Sequence, residues 1–218
     1  MLLASVSVMP NLHQDQPILS AGLPLSEARA AMVMLHGRGA TAESILSLAT
    51  EFDVEGFTYL APQAANSTWY PYRFLEPVER NEPWLSSALQ VVADLCARLA
   101  ETGIPPQRIM LLGFSQGACL TLEYAARHAR RFGGIVGLSG GLIGPSISPH
   151  TYSGSLAGTP VFLGCSDVDF HIPLARVHES AALLRQLGGS VTEQIYPGLD
   201  HTINQDEVKQ VKQMMNNL

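Results

Sequence analysis

The feature that most restricts this chain is Gly113-Phe-Ser-Gln-Gly117, set between an apolar run and a helix-forming run. The run before it, Arg108-Ile-Met-Leu-Leu-Gly-Phe114, reads as a buried strand. The run after it, from Ala118 to Ala129, reads as a helix. A serine between them sits on a sharp strand-to-helix turn, which only small flanking residues allow. A serine hydroxyl is a weak nucleophile at neutral pH. Such a turn makes it useful by exposing it beside a base and a set of N–H donors. Gly137-Leu-Ser-Gly-Gly141 has the same Gly-x-Ser-x-Gly spacing and also follows an apolar run. Its continuation, Gly141-Leu-Ile-Gly-Pro-Ser146, holds two breakers and cannot start a helix. Ser139 is therefore expected in a glycine-rich loop, and Ser115 on the functional turn.

Strand and helix signals alternate along the rest of the chain. Strands are expected at 30–35, 57–60, 108–113, 133–138, 160–164 and 190–196. Helices are expected at 41–52, 81–100, 116–129, 173–187 and 204–217. Asn81 is positioned to cap the long helix, Pro83 suits its first turn, and Gly103 with Pro105 ends it. The apolar start, Met1 to Pro10, has no basic residue and reads as a first edge strand rather than a signal peptide. Short, nearly continuous apolar strands suit a parallel sheet covered on both faces. The fold class is thus α/β, a doubly wound and mostly parallel sheet in a single domain, with no insertion long enough for a large cap domain. Two segments lack regular signals: 61–80, rich in aromatic residues and proline, and 140–158. Long irregular loops in compact domains are often functional.

A serine nucleophile needs a base, and the base an orienting acid. In an open α/β sheet with this kind of turn, chain order is serine, acid, histidine. His150 falls in an irregular loop and His178 within a helix. His201 follows the last strand, in Pro197-Gly-Leu-Asp-His201, at the edge where such sheets place their sites. Asp167 and Asp169 both follow the strand at 160–164. Asp169 is favoured as the acid, with Asp167 as a loop-stabilising neighbour. His171 is out of order for the base, and His36, which precedes Ser115, is expected to shape its loop. Two backbone N–H groups should stabilise the developing oxyanion. Gln116 supplies one, and Arg38, in His36-Gly-Arg-Gly39, the other. Trp69, Tyr70 and Tyr72 either wall the substrate pocket or pack their loop against the body.

These motifs together are similar to the bacterial carboxylesterase/phospholipase branch of the α/β-hydrolases, which includes the acyl-protein thioesterases. The resemblance runs from about Met32 to Met215. It is carried by Leu35-His-Gly-Arg-Gly39, Ala61-Pro-Gln63, Trp69-Tyr70, the Ser115 motif, Leu138-Ser-Gly140, Asp167-Val-Asp-Phe-His-Ile-Pro173 and Tyr196-Pro-Gly-Leu-Asp-His201. It implies Ser115, Asp169 and His201 as a catalytic triad, since Ile172-Pro173 sets the family frame on Asp169. It implies hydrolysis of carboxylic esters or thioesters, with no metal or organic cofactor, and it is compatible with a homodimer. The chain departs from the thioesterase pattern at Arg38 (usually Leu), at Ala40 (usually Asp), at Cys165-Ser-Asp167 (usually His-Gly-Asp) and in the aromatic loop. A long-chain acyl-protein substrate therefore does not follow. An Arg38 side chain facing the cleft would favour an acidic or polar acid moiety; one facing outward would leave only its N–H in play. Two other readings stay open: a lactone or dienelactone-like hydrolase, whose members often use Cys as nucleophile, and a hydrolase-fold binding protein without turnover.

Composition narrows the partners. With 13 basic against 19 acidic residues, net charge −6 and no Lys/Arg run, no nucleic-acid footprint is expected. The apolar stretches are too short for stable membrane insertion; the resemblance implies a small-molecule ester as the partner, and the cytoplasm is the expected compartment. Cys96, Cys119 and Cys165 are odd in number and lack CxxC spacing, as befits buried thiols in a reducing environment.

Overall fold

The computed structural model describes residues 11–218. The edge strand expected within 1–10 lies outside the described residues. One seven-stranded sheet has the order β1-β3-β2-β4-β5-β6-β7. Its strands are β1 (Ile18–Gly22), β2 (Ala30–Leu35), β3 (Phe57–Pro62), β4 (Ile109–Phe114), β5 (Gly134–Leu138), β6 (Pro160–Ser166) and β7 (Ser190–Tyr196). All neighbours pair in parallel except β1 with β3. β1 was not legible in the apolar pattern, because it is a short, mostly exposed edge strand with no inward face to reveal it. β6 runs two residues further than expected, carrying Cys165 and Ser166 into the ladder.

Side chains alternate across each strand and so divide the core into two layers. Ala31, Val33 and Leu35 of β2 join one layer, beneath α3 (Trp84–Glu101), α4 (Gln116–Arg127) and α5 (Leu174–Gln186). Ala30, Met32 and Met34 join the other, beneath α1 (Ala42–Leu46), α2 (Leu48–Phe52) and α6 (Gln205–Asn216). The central strands are buried on both faces, which is why they read as apolar runs rather than alternating ones.

Two helix expectations need correction. The segment expected as one helix over 41–52 is two short helices meeting at Ser47. There Ser47 Oγ donates to the Ser44 carbonyl (2.8 Å), a local bond that competes with regular helix. The long helix starts at Trp84, and Asn81 does not cap it. Asn81 is buried in a preceding 3₁₀ turn, where its amide takes the Tyr72 N–H (2.9 Å) and donates to the Arg73 carbonyl (3.3 Å). The Glu82 carboxylate accepts the Ser86 N–H of the first helical turn instead (3.1 Å).

The irregular segment 140–158 is pinned from below. Arg176 of α5 donates to the carbonyls of Leu142 (2.9 Å), Gly144 (2.7 Å) and Pro145 (3.0 Å). The buried Glu123 of α4 accepts from Ile143 N–H (3.0 Å) and Tyr152 O–H (3.1 Å). A chain without a ladder partner must find its donors and acceptors in side chains, and here two charged residues supply them.

α6 begins with a capping box. The Asn204 side chain accepts from the N–H groups of Asp206 (2.8 Å) and Glu207 (3.0 Å), and Glu207 reaches back to the Asn204 N–H (2.9 Å). Glu207 is only 1% exposed and packs on Gly164 of β6, where a Cβ would lie 2.2 Å from its Oε1. Burial pushes its carboxyl up to about 7, against the pull of the Asn204 N–H. A carboxyl with a raised folded-state pKa holds its proton longer in the folded chain than in the unfolded one. Its stabilising effect is complete below the ordinary carboxylate range and is lost as pH rises toward 7. Wild type is therefore expected to lose urea resistance between pH 4.5 and 7.5 relative to Glu207→Gln, which keeps an acceptor for Asn204 without titrating. Parallel pH profiles of the two denaturation midpoints would contradict this.

Candidate active site

Ser115 lies between β4 and α4 with φ 54° and ψ −118°, a region a non-glycine residue occupies only under constraint. The two glycines of the motif explain how it is held. A Cβ on Gly113 would sit 2.2 Å from the Gly117 carbonyl oxygen, and one on Gly117 would sit 2.1 Å from that of Leu35. The turn therefore closes only if both positions lack side chains. Ser139 also has positive φ (52°), but it is buried in the loop after β5, donates its N–H to the Gly164 carbonyl (2.7 Å) and starts no helix.

The chain ends of β4, β6 and β7 bring three side chains together. Ser115 Oγ is 2.8 Å from His201 Nε2, and His201 Nδ1 is 2.6 Å from Asp169 Oδ2. The Asp169 side chain is fully buried, and its Oδ1 accepts the N–H groups of His171 (2.8 Å) and Ile172 (3.1 Å). Burial pushes the Asp169 carboxyl up. The bond to His201 and the two backbone N–H groups outweigh it and hold the carboxyl below its ordinary value. The hydrogen-bond partner of His201 Nδ1 is thus a carboxylate at neutral pH. The Cys165 thiol, 3.9 Å from Asp169 Oδ2, is pushed up to about 12, first by burial and then by that carboxylate, so it stays protonated. Asp167 takes the Gly198 N–H (2.8 Å), tying the acid loop to the turn that carries His201. The His171 ring tilts against His201, with centroids 4.8 Å apart, and Phe114 packs on it at 5.1 Å. His178 is exposed and pairs with Glu193, and His150 is exposed, so neither reaches the site.

The loop after β2 abuts Ser115: a Cβ on Gly37 would lie 3.4 Å from the Ser115 Cβ. Among the described residues the backbone N–H groups of Arg38 and Gln116 have no acceptor. His36 is fully buried, and its Nε2 accepts the Ala64 N–H (3.0 Å) while Nδ1 faces the Gly37 carbonyl (2.7 Å). Burial lowers its pKa, which suits a neutral ring with the proton on Nδ1.

A cavity of about 540 Å³ opens over Ser115 and His201. Tyr70 and Tyr72 line it, but Trp69 does not. Trp69 is wholly buried, donates its indole N–H to the His36 carbonyl (2.9 Å) and packs on the His36 ring, because a side chain of that size is most stable out of water with its one donor satisfied. It supports the loop from behind. Pro71, Phe74, Phe114 and Ile172 also line the cavity and were not singled out from sequence. Phe114 is the variable residue of the serine motif, and Ile172 lies in the frame that marks Asp169. The segment 140–158 contributes nothing to the walls. Among the described residues, no cluster of three or more His, Cys, Asp or Glu side chains is arranged to hold a metal, and no helix is long and apolar enough to cross a membrane.

An open parallel sheet with its serine on a strand-to-helix elbow and its acid and histidine after later strands defines the α/β-hydrolase class. The chain belongs to the phospholipase/carboxylesterase family, which it matches over residues 22–218. A phospholipase/carboxylesterase from Dyadobacter fermentans superposes with a TM-score of 0.90 at 44% identity, covering 93% of this chain and 97% of that one. Acyl-protein thioesterase 1 of Gibberella zeae is 34% identical over 114 residues, which cover 51% of this chain and 48% of that protein. Lysophospholipase-like protein 1 of Mus musculus is 30% identical over 129 residues, covering 59% and 54%. The chain thus aligns with about half the length of these two curated relatives.

The packing at the elbow makes Gly117→Ala costly. The new methyl meets backbone rather than a movable side chain, so a loss of about 3 kcal/mol, or roughly 10 °C in Tm, is expected. A thermal melt within about 2 °C of wild type would show that the α4 terminus can retreat from β2 at little cost.

Proposed function

We propose that this chain hydrolyses carboxylic esters through an acyl-enzyme on Ser115. The observation that carries this reading is the unbroken run of contacts from Ser115 Oγ through His201 to the buried Asp169, at 2.8 and 2.6 Å. Ser115 Oγ attacks the ester carbonyl while His201 Nε2 takes its proton. The imidazolium that forms is held by the Asp169 carboxylate through Nδ1–H, which also fixes the ring's tautomer. Negative charge on the former carbonyl oxygen is met by the N–H groups of Arg38 and Gln116. His201 then returns the proton to the leaving alcohol; in the second half it takes a proton from the attacking water and returns it to Ser115 Oγ as the acyl–oxygen bond breaks and the acid leaves.

The relatives' names extend the substrate class to thioesters, since a thiolate leaving group needs the same machinery. A binding protein without turnover would have no need for the serine, base and acid to be aligned together. A dienelactone-like activity finds less support, because the elbow holds Ser rather than Cys. Cys119, one turn along α4, is buried with its thiol pushed up to about 12 by burial, and is no substitute.

Two variants test the reading. Ser115→Ala is expected to lose on the order of 10⁴-fold or more in kcat on p-nitrophenyl esters, and to lose all labelling by a fluorophosphonate seen by intact mass. Turnover near wild type in that variant would end the proposal. Asp169→Asn should keep the fold but lose about 10⁴-fold in kcat, because an amide no longer selects the productive histidine tautomer.

A further inference from the structure

The Arg38 side chain lines the cavity and reaches the aromatic segment beside it. Its guanidinium donates to three consecutive carbonyls of the aromatic segment: Tyr70 (2.9 Å), Pro71 (2.9 Å) and Tyr72 (2.7 Å). The Tyr70 carbonyl oxygen also accepts from Gln116 Nε2 (2.8 Å), while Gln116 Oε1 accepts the Trp69 N–H (2.9 Å). The two residues whose N–H groups are assigned to the oxyanion thus send their side chains to one shared oxygen. They come from different elements, the loop after β2 and the first turn of α4. The segment they grip has no strand partner, so its carbonyls depend on side-chain donors. Charge-assisted bonds from a planar guanidinium are the strong form of that support, and an ammonium cannot reproduce the fork.

We infer that Arg38 and Gln116 form a clamp, anchored on the Tyr70 carbonyl, that sets the spacing of their own N–H groups and couples it to the cavity wall. Both are positioning residues in this role, which rests on the hydrolase reading above. Tyr70 and Tyr72 line the cavity, so an acyl group pressing on them also pushes on the oxyanion donors. Selectivity among acyl groups should then appear in kcat. A clamp that only held the loop in place would show instead as a change in KM or in Tm.

The test uses Arg38→Leu and Arg38→Lys in the full chain, both of which keep the backbone N–H at position 38. The p-nitrophenyl esters from acetate to octanoate are measured for kcat and KM, beside the inhibition constant of an alkyl trifluoromethyl ketone, which forms a tetrahedral adduct on serine. Losing an oxyanion donor outright costs about 10²- to 10³-fold, so loss of its alignment is expected to lower kcat by roughly 10- to 100-fold. KM should change less than about threefold, ketone affinity should fall in step with kcat, Lys should restore little, and the chain-length preference in kcat should flatten. A kcat within about twofold of wild type in Arg38→Leu, whatever its KM or Tm, would overturn the clamp. Should that variant fail to fold, Gln116→Met removes the other arm and is read by the same criteria. Activity retained by Ser115→Ala would sink the hydrolase reading. An inactive Ser115→Ala beside a full-rate Arg38→Leu would sink the clamp alone.

Discussion

The arrangement of this protein depends on how closely the start of α4 approaches the end of β2. Gly117 lies against the carbonyls of Leu35 and His36, at distances no Cβ could tolerate, and Gly113 lies equally close to Gly117. That approach forces Ser115 into its unusual backbone conformation and aims the N-terminal N–H of α4 at the same space as the loop after β2. Every other part of the site is placed relative to this contact. Asp169 and His201 arrive on the ends of β6 and β7, whose parallel register is carried through seven pairs of residues. The parallel sheet therefore brings the three strand ends to one edge, where His201, carried by the outermost strand β7, bridges Ser115 and Asp169.

Much of this was legible in the sequence because the relevant residues are of types with few alternatives. Glycine at 113 and 117 reports a steric need directly, and the absence of a helix-forming run after Ser139 separated the two serine motifs. Asp169 could be singled out because it follows the apolar run of β6, and His201 because it stands among turn residues between the last strand and the last helix. The buried strands themselves were legible to within a residue or two, since a parallel sheet leaves no solvent face to interrupt the apolar run. β1 was missed for the opposite reason: its ladder to β3 is backbone pairing on an edge, with little burial to leave a pattern.

The aromatic segment was the least legible part. Trp69 and Tyr70 are neighbours of the same chemical type, yet one supports the His36 loop from behind and the other faces the cavity. Irregular backbone has no period from which to read a direction. Asn81 misled for a related reason. An asparagine before a helix is a good cap by local rules, but the buried amide satisfies Tyr72 and Arg73 instead, where unpaired backbone groups would cost more. Glu123 and Arg176 are likewise buried against a distant loop that they support, beside local ion pairs with Arg127 and Glu179.

The dependence of the segment 68–73 on side chains from three separate elements, Arg38, Asn81 and Gln116, bears on how a chain of this kind could be redesigned. A loop held by a strand ladder can be exchanged for another of equal length, because the ladder accepts any backbone. This one cannot be transplanted alone. A foreign loop would have to present carbonyls at the same three places, or leave a guanidinium and an amide without acceptors beside Ser115. Segment and supports form one exchangeable unit scattered through the sequence, and grafts that ignore the scatter would lose the cavity's shape before they changed its preference.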